Sequence, residues 1–172
     1  MERTLVILKP DAVKRGLVGE ILTRFERVGL KIVACRMVQP DYDHYYRHYE
    51  EIGKMVTRRG QQTFEAALAM MQEGPVIAFV LEGIEAVSLV RKMVGTTEPK
   101  SAQPGTIRGD YAHISFAHAD KESIGTPNVI HASGDTDEAE EEIRHWFADS
   151  DIFDYRTVHE QYTLARNRKP KK

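Results

Sequence analysis

Apolar positions along this chain follow two periods, and the alternation between them lays out the fold. Thr4-Leu5-Val6-Ile7-Leu8 is a short, wholly apolar run closed by Lys9-Pro10-Asp11, the mark of a buried central strand. Residues 31–38 are rich in β-branched and apolar side chains and read as a second strand; residues 76–81 read as a third. Between the runs the spacing changes to that of a helix. Over residues 15–28, Leu17, Val18, Ile21, Leu22, Phe25 and Val28 share one face, and Gly29 supplies a stop. Residues 63–71 put Phe64, Ala67, Leu68 and Met71 on one side, and residues 84–94 do the same with Val87, Val90 and Val94. Residues 41–52 have helical character, with tyrosines at 42, 45, 46 and 49. Residues 135–146 form an acidic helix with Ala139, Ile143, Trp146 and Phe147 at helical spacing, and Asp135 with Glu138 fits an N-terminal capping pattern. Residues 53–62 read as an exposed loop or a frayed helix, 98–110 and 117–127 as loops, 111–116 as a short strand, and 153–164 as irregular with at most a short terminal strand.

Short apolar strands alternating with amphipathic helices predict an α+β class: a ferredoxin-like αβ sandwich, its antiparallel sheet carrying helices on one face, with additional helices and loops. A doubly wound fold is disfavoured because no Gly-rich turn follows the first strand. The 172 residues suit one domain, with residues 165–172 a basic tail. Lys and Arg number 24 against 26 Asp and Glu, so overall charge does not draw in nucleic acid, and an anion site must come from a local cluster. A lone cysteine, Cys35, forms no internal disulfide, and no apolar run is long enough for a membrane span; a reducing, cytoplasmic setting is expected.

The chemistry centres on Asn128-Val129-Ile130-His131-Ala132-Ser133. His131 stands just ahead of a helix start, where backbone N–H groups and the helix dipole favour an anion. A neutral imidazole attacks phosphorus directly. Lys9 sits at a strand end, Arg91 at a helix end and Arg108 inside Thr106-Ile107-Arg108-Gly109-Asp110; together they suit phosphate oxygens. Thr97 adds a hydroxyl, and Asn128 offers both donor and acceptor to a sugar. Convergence of these groups on His131 implies phosphoryl transfer through a phosphohistidine. No P-loop, Rossmann or protein-kinase signature is present, nor any zinc-site spacing. His44 and His48, one helical turn apart, read as surface histidines.

Four motifs taken in order, Val6-Ile7-Leu8-Lys9-Pro10-Asp11, Arg15-Gly16-Leu17-Val18-Gly19-Glu20-Ile21, Pro104-Gly105-Thr106-Ile107-Arg108-Gly109-Asp110 and the His131 motif, resemble those of the nucleoside diphosphate kinases. The resemblance implies ping-pong transfer of the γ-phosphate of a nucleoside triphosphate to a nucleoside diphosphate, with magnesium bridging the phosphates and broad base specificity. It implies that His131 is phosphorylated and that Arg91, Thr97 and Arg108 hold phosphates. Lys9 and Asn128 contact the ribose, Lys9 also neutralises the transferring group, and Tyr49 lies close to the phosphohistidine. Phe64 resembles the aromatic on which the base stacks, and Glu142 the acid that steadies the histidine. Asp135 resembles, shifted by one residue, the aspartate that helps hold magnesium through water. A homo-oligomer follows too, a hexamer or a tetramer, with residues 98–110 as the interface loop.

The chain departs from the family pattern in three places. The segments 50–63 and 111–127 are expanded, and Ala-Ser-Gly-Asp follows His131 where Gly-Ser-Asp-Ser is usual. A ferredoxin-like nucleic-acid module is the contrasting class, and it lacks support here because no strand carries the aromatic pattern of an RNA-binding sheet. A family member kept for assembly or regulation is the third reading.

Overall fold

The structure, a computed structural model, describes residues 1–164, so the basic stretch 165–172 lies outside the described residues. Four strands form one antiparallel sheet in the order β2-β3-β1-β4. They are β1 (Glu2–Leu8), β2 (Lys31–Val38), β3 (Val76–Gly83) and β4 (Ile130–Ala132). β1 lies in the middle, paired with β3 from Glu2 opposite Gly83 to Leu8 opposite Ile77, and with β4 from Val6 opposite Ala132 to Leu8 opposite Ile130. This is the ferredoxin-like plan. Its two crossover helices are α2 (Val18–Arg27) and α6 (Ala86–Val94).

Helices cover both faces of the sheet, not one. The pleat sends Leu5 and Ile7 to one side, where they meet Tyr45, Phe64, Leu68, Met71, Ile143 and Trp146. Those residues come from α3 (Tyr42–Tyr46), α5 (Gln61–Met71) and α9 (Thr136–Trp146). Val6 and Leu8 face the other way, onto Ile21 and Phe25 of α2 and Val90 and Val94 of α6. Such a strand, apolar on both faces, reads as a continuous hydrophobic run, as the sequence of β1 does.

Several expectations need correction. The first helix does not begin at residue 15: the chain makes α1 (Pro10–Lys14), turns at Gly16 with φ +69°, and restarts as α2. A proline at the first helical position is well placed to open α1, because its missing N–H has no helical partner to lose. After α3 the helix widens into a π-helical stretch at Arg47–Ile52, carrying His48 and Tyr49. Of the two readings for 53–62, the helical one holds: the segment contains α4 (Met55–Arg59). Residues 98–110 hold a short 3₁₀ turn and the start of α7 (Ile107–Tyr111). No strand occupies 111–116; that stretch links α7 to α8 (Phe116–Glu122), and the fourth strand is the histidine motif itself. Residues 153–164 carry a short helix, α10 (Glu160–Thr163), and no strand. No helix among the described residues is long and apolar enough to cross a membrane.

The outer edge of the sheet is covered by the chain's own C-terminal segment. Phe153 N–H donates to Val33 O at 2.8 Å, and the Tyr155 hydroxyl to Ile32 O at 2.7 Å. Lys31, buried, reaches Glu82 at 2.7 Å, Glu160 at 3.5 Å and the Tyr155 carbonyl at 2.8 Å. Removing one partner of a buried ion pair leaves the other charge uncompensated, at a typical cost of about 3 kcal/mol or more. Glu82 keeps its contact with Arg3 Nε at 2.8 Å, so Lys31→Met is expected to cost less than that, lowering the unfolding free energy by about 1.5 kcal/mol in urea titration. Adding Glu82→Leu is expected to recover most of that loss; a double variant as unstable as the single one would remove the pair from the account.

Candidate active site

β4 presents His131 through simple alternation. His131 pairs with Ile7 in the register and so shares its face, toward α9, while Ile130 and Ala132 turn to the α2–α6 side. The turn into β4 is strained. Val129 has φ +61°, a conformation costly for a β-branched residue, and Ile130 N–H reaches back to Asn128 O at 2.7 Å. Two neighbours and its burial hold it there. The Asp11 carboxylate accepts from Val129 N–H at 3.0 Å, Lys9 N–H donates to Val129 O at 3.0 Å, and burial is complete.

The imidazole Nε2 of His131 lies 2.8 Å from Oε1 of Glu142, which projects inward from α9 and is fully buried. A carboxylate accepts, so Nε2 carries the proton and Nδ1 keeps its lone pair, with no partner among the described residues. The second oxygen of Glu142 accepts from the Ser133 hydroxyl at 2.6 Å, and Ser133 Oγ in turn accepts from Leu5 N–H at 3.2 Å. Burial raises the Glu142 carboxyl above its usual value. Burial first, then the nearby charges of Lys9, Arg108 and Arg91, pull the His131 imidazole down to about 3, while Glu138 acts in the opposite sense. The ring is therefore neutral throughout the physiological range.

Around it lies a cleft of about 460 Å³. Lys9, Arg91, Arg108, Thr97 and Asn128 line it, together with Tyr49, Glu142 and Asp135. Lys9 Nζ donates to Asn128 Oδ1 at 2.8 Å, and Asn128 Nδ2 donates to Thr97 O at 2.9 Å. Arg108 is braced by Gly95 O at 3.0 Å and Ile130 O at 2.7 Å, with its Nε buried and unpartnered. Arg91 reaches Ser133 O at 3.4 Å. Burial and then the charge of Arg108 bring Lys9 down to about 8; burial and then Arg91 bring Arg108 down to about 10. These cations repel one another and, among the described residues, no carboxylate is hydrogen-bonded to them, which is the electrostatic state of a site built for an anion.

Two expectations take a different place. Phe64 does not line the cleft. It is 1% exposed, packed edge-on against Tyr46 in the core under α5. His48 is not a surface residue, and His44 is half-buried. His48 is buried, its ring 4.6 Å from that of His131 and its Nδ1 accepting from Trp146 Nε1 at 3.2 Å; burial drives it down to about 3. His44 stacks on His145 at 3.9 Å and meets Trp146 edge-on at 4.5 Å. Their helical spacing with the tyrosines was the signal for burial. Ser133, Asp11 and Glu138 also belong to the site without having been singled out there.

The capping motif after His131 is a variant of the expected one. Asp135 Oδ1 accepts from Glu138 N–H at 2.9 Å, but Glu138 Oε2 accepts from Gly134 N–H at 3.0 Å. A Cβ at 134 would lie 2.2 Å from that oxygen, so glycine there makes room for the returning acid.

An antiparallel αβ sandwich whose cleft sets a neutral histidine among unpaired cations is the architecture of a histidine-based phosphotransferase. A family model described as nucleoside diphosphate kinase matches residues 2–152. The nucleoside diphosphate kinase of Borreliella burgdorferi is 42% identical over 156 residues, spanning 91% of this chain and 93% of its own. That of Pyrococcus furiosus is 47% identical over 155 residues, spanning 90% and 88%. Among solved structures, a transition-state mimic of the Borrelia burgdorferi enzyme with bound vanadate and ADP superposes with a TM-score of 0.91 at 42% identity, covering 94% of this chain and 95% of that one. A halophilic enzyme from Halobacterium salinarum in complex with CDP gives 0.79 at 36% identity, covering 94% and 97%. The chain belongs to the nucleoside diphosphate kinase family. Members transfer the γ-phosphate of a nucleoside triphosphate to a nucleoside diphosphate in a ping-pong reaction through a phosphohistidine, and this chain is a phosphotransferase of that kind.

The buried histidines make stability depend on pH in a defined direction. His48 and His131 titrate near 3 when folded and near 6.5 when unfolded, so between those values the unfolded chain binds more protons. Stability is full above about pH 6.5 and is lost as pH falls, by about 1.4 kcal/mol per unit for each group. The raised Glu142 carboxyl opposes this at the acid end. Urea midpoints measured at pH 7 and pH 5 are expected to fall; an unchanged midpoint would show that neither ring is held neutral.

Proposed function

We propose that His131 is the phosphoryl carrier and that its Nδ1 is the reacting atom. The observation that carries this reading is the 2.8 Å contact that commits Nε2–H to Glu142 and leaves Nδ1 as the lone pair on the cleft. In the first half-reaction the Nδ1 lone pair forms a bond to the γ-phosphorus as the bond from that phosphorus to the β-phosphate oxygen breaks, and the diphosphate leaves with the electron pair. In the second half, a β-phosphate oxygen of another nucleoside diphosphate attacks and the N–P bond breaks. Nε2 keeps its proton throughout, steadied by Glu142.

Lys9, Arg91 and Arg108 supply fixed positive charge where the transferring group is most negative, and Thr97 donates a hydroxyl. Lys9 and Asn128 are linked and act as one unit toward the ribose and the γ-phosphate. Tyr49 keeps a buried hydroxyl with no partner among the described residues, its ring 6.3 Å from His131, and burial pushes its titration well up, so it acts as a neutral donor.

The residues present fit a magnesium ion carried in by the nucleotide. Asp135 lines the cleft with only Oδ1 engaged, which leaves Oδ2 to accept from a water on the ion. Mg²⁺ typically keeps several waters and takes its remaining oxygens from substrate phosphates, so one such carboxylate suffices. The ion would neutralise charge on the phosphate chain. Homo-oligomeric assembly as a hexamer, or a tetramer, through residues 98–110 and a cytoplasmic setting complete the reading; the exposed thiol of Cys35 suits a reducing compartment.

Mixing the protein with γ-labelled ATP is expected to leave acid-labile, hydroxylamine-sensitive phosphate on His131, and none on His131→Ala. Equal labelling of that variant would end the assignment. Lys9→Ala is expected to lower kcat by about 10²-fold, the scale of one lost charge-stabilising donor, when turnover is measured with saturating nucleotides.

A further inference from the structure

The phosphate end of the cleft is crowded with named groups, but the outer end has no base platform where the family resemblance puts one, because Phe64 is in the core. Apart from histidines, two aromatic side chains line the cleft, Tyr49 and Phe116. Tyr49 packs beside His131 and is committed to the reacting end. Phe116, half-buried, lines the same cleft as the first residue of α8, with no ring contact to His131. The guanidinium of Arg59, the exposed last residue of α4, lies over its ring at 4.4 Å from the centroid. These two residues come one from each expanded segment, 50–63 and 111–127.

Resting on the reading that this cleft holds a nucleotide, we propose that Phe116 is the platform on which the base stacks and that Arg59 is the cover that closes over it. The two expansions together then build a base subsite in place of the one expected at Phe64.

Phe116 is fixed to the phosphate end by short connections. Its N–H donates to Glu98 Oε1 at 2.9 Å. The other carboxylate oxygen of Glu98 accepts from the Ser101 hydroxyl, and its backbone carbonyl accepts from Thr96 at 3.3 Å. Glu98 directly follows Thr97, whose carbonyl takes Asn128. A base resting on Phe116 is thus held at a set distance from the ribose and phosphate contacts. Behind it, Gly125 packs on α5 so closely that a Cβ would lie 2.7 Å from Ala66 O and 2.8 Å from Met70 Cβ, which seats the α8 segment against the cleft wall.

A guanidinium at 4.4 Å leaves no room for a base between it and the ring. Arg59 must swing off Phe116 and restack on the outer face of the base. It is free to do so: it is exposed, it ends a five-residue helix, and Gly60 follows with φ +88°. The result is a ring, base and guanidinium sandwich. Such stacking accepts every base, since each has a π-face, and it holds the larger purines more tightly.

Direct binding to the full chain tests this, using ADP, GDP, CDP, UDP and inorganic tripolyphosphate as titrants. Phe116→Ala is expected to weaken ADP and GDP by about ten- to a hundredfold, the usual loss for one stacking aromatic, and CDP and UDP by less. Tripolyphosphate, which has no base, should bind unchanged, and Phe116→Trp should restore the diphosphates. Arg59→Gln is expected to weaken only the base-bearing ligands, by roughly threefold. Unchanged diphosphate binding in Phe116→Ala, or an equal loss for tripolyphosphate, would overturn the proposal. So would a selective loss of base-bearing ligands in Phe64→Leu with Phe116→Ala silent. If the parent chain binds no nucleotide, the reading of the cleft itself fails, a different result from any of these.

Discussion

One buried carboxylate ties this molecule's fold to its chemistry. Glu142 is sealed inside the sandwich, where an uncompensated acid is costly. It is accommodated because His131 and Ser133, two residues apart on and after the short strand β4, each give it a proton to accept, and because Ser133 is itself pinned to the backbone of β1 at Leu5. The requirement to satisfy one acid therefore fixes the angle between α9 and the sheet, the register of β4 and the tautomer of the nucleophile at once. Packing around it, from Trp146 to Tyr45 and Phe64, keeps water away and so keeps the requirement strict.

On the cleft side the same logic runs in the opposite sense. Lys9 and Arg108 are buried cations with no carboxylate hydrogen-bonded to them among the described residues, and burial holds both below their usual titration range. The strained turn at Val129 is of a piece with this. It puts Asn128 and His131 on one wall of the cleft, and it persists because Asp11 and Lys9 grip its backbone from the end of β1. Buried cations gathered around one cleft favour an anionic ligand, as a polyphosphate chain would be.

Most of this architecture was legible in residue order. The apolar runs marked three strands, and the periodic segments marked the helices that cover them. The resemblance to a known family named the groups that meet at His131. What eluded the sequence has physical causes. The fourth strand is three residues long, has a histidine at its centre and follows a strained valine, so no strand pattern announces it. The expected strand at 111–116 looked plausible by composition, but Ser115 caps the N-terminus of α8 by accepting from His118 N–H at 3.2 Å. Phe64 was assigned to a ligand although its own spacing with Ala67, Leu68 and Met71 already put it on the buried face. His44 and His48 read as surface histidines; among tyrosines at helical spacing they pack as aromatics, and burial pushes their titration down to about 4 and about 3.

The strap formed by residues 153–160 has a consequence beyond holding Lys31. β2 is an outermost strand, and an uncovered outermost strand offers a row of unmatched amides to any passing extended chain. Here Phe153 and Tyr155 already occupy the carbonyls of Val33 and Ile32. The protein thus carries its own guard against sheet-to-sheet templating, and the guard is latched by a lysine shared between strand and strap. Cleavage or loss of this short stretch would leave the enzyme's chemistry untouched at first, yet expose a sticky flank along which copies accumulate.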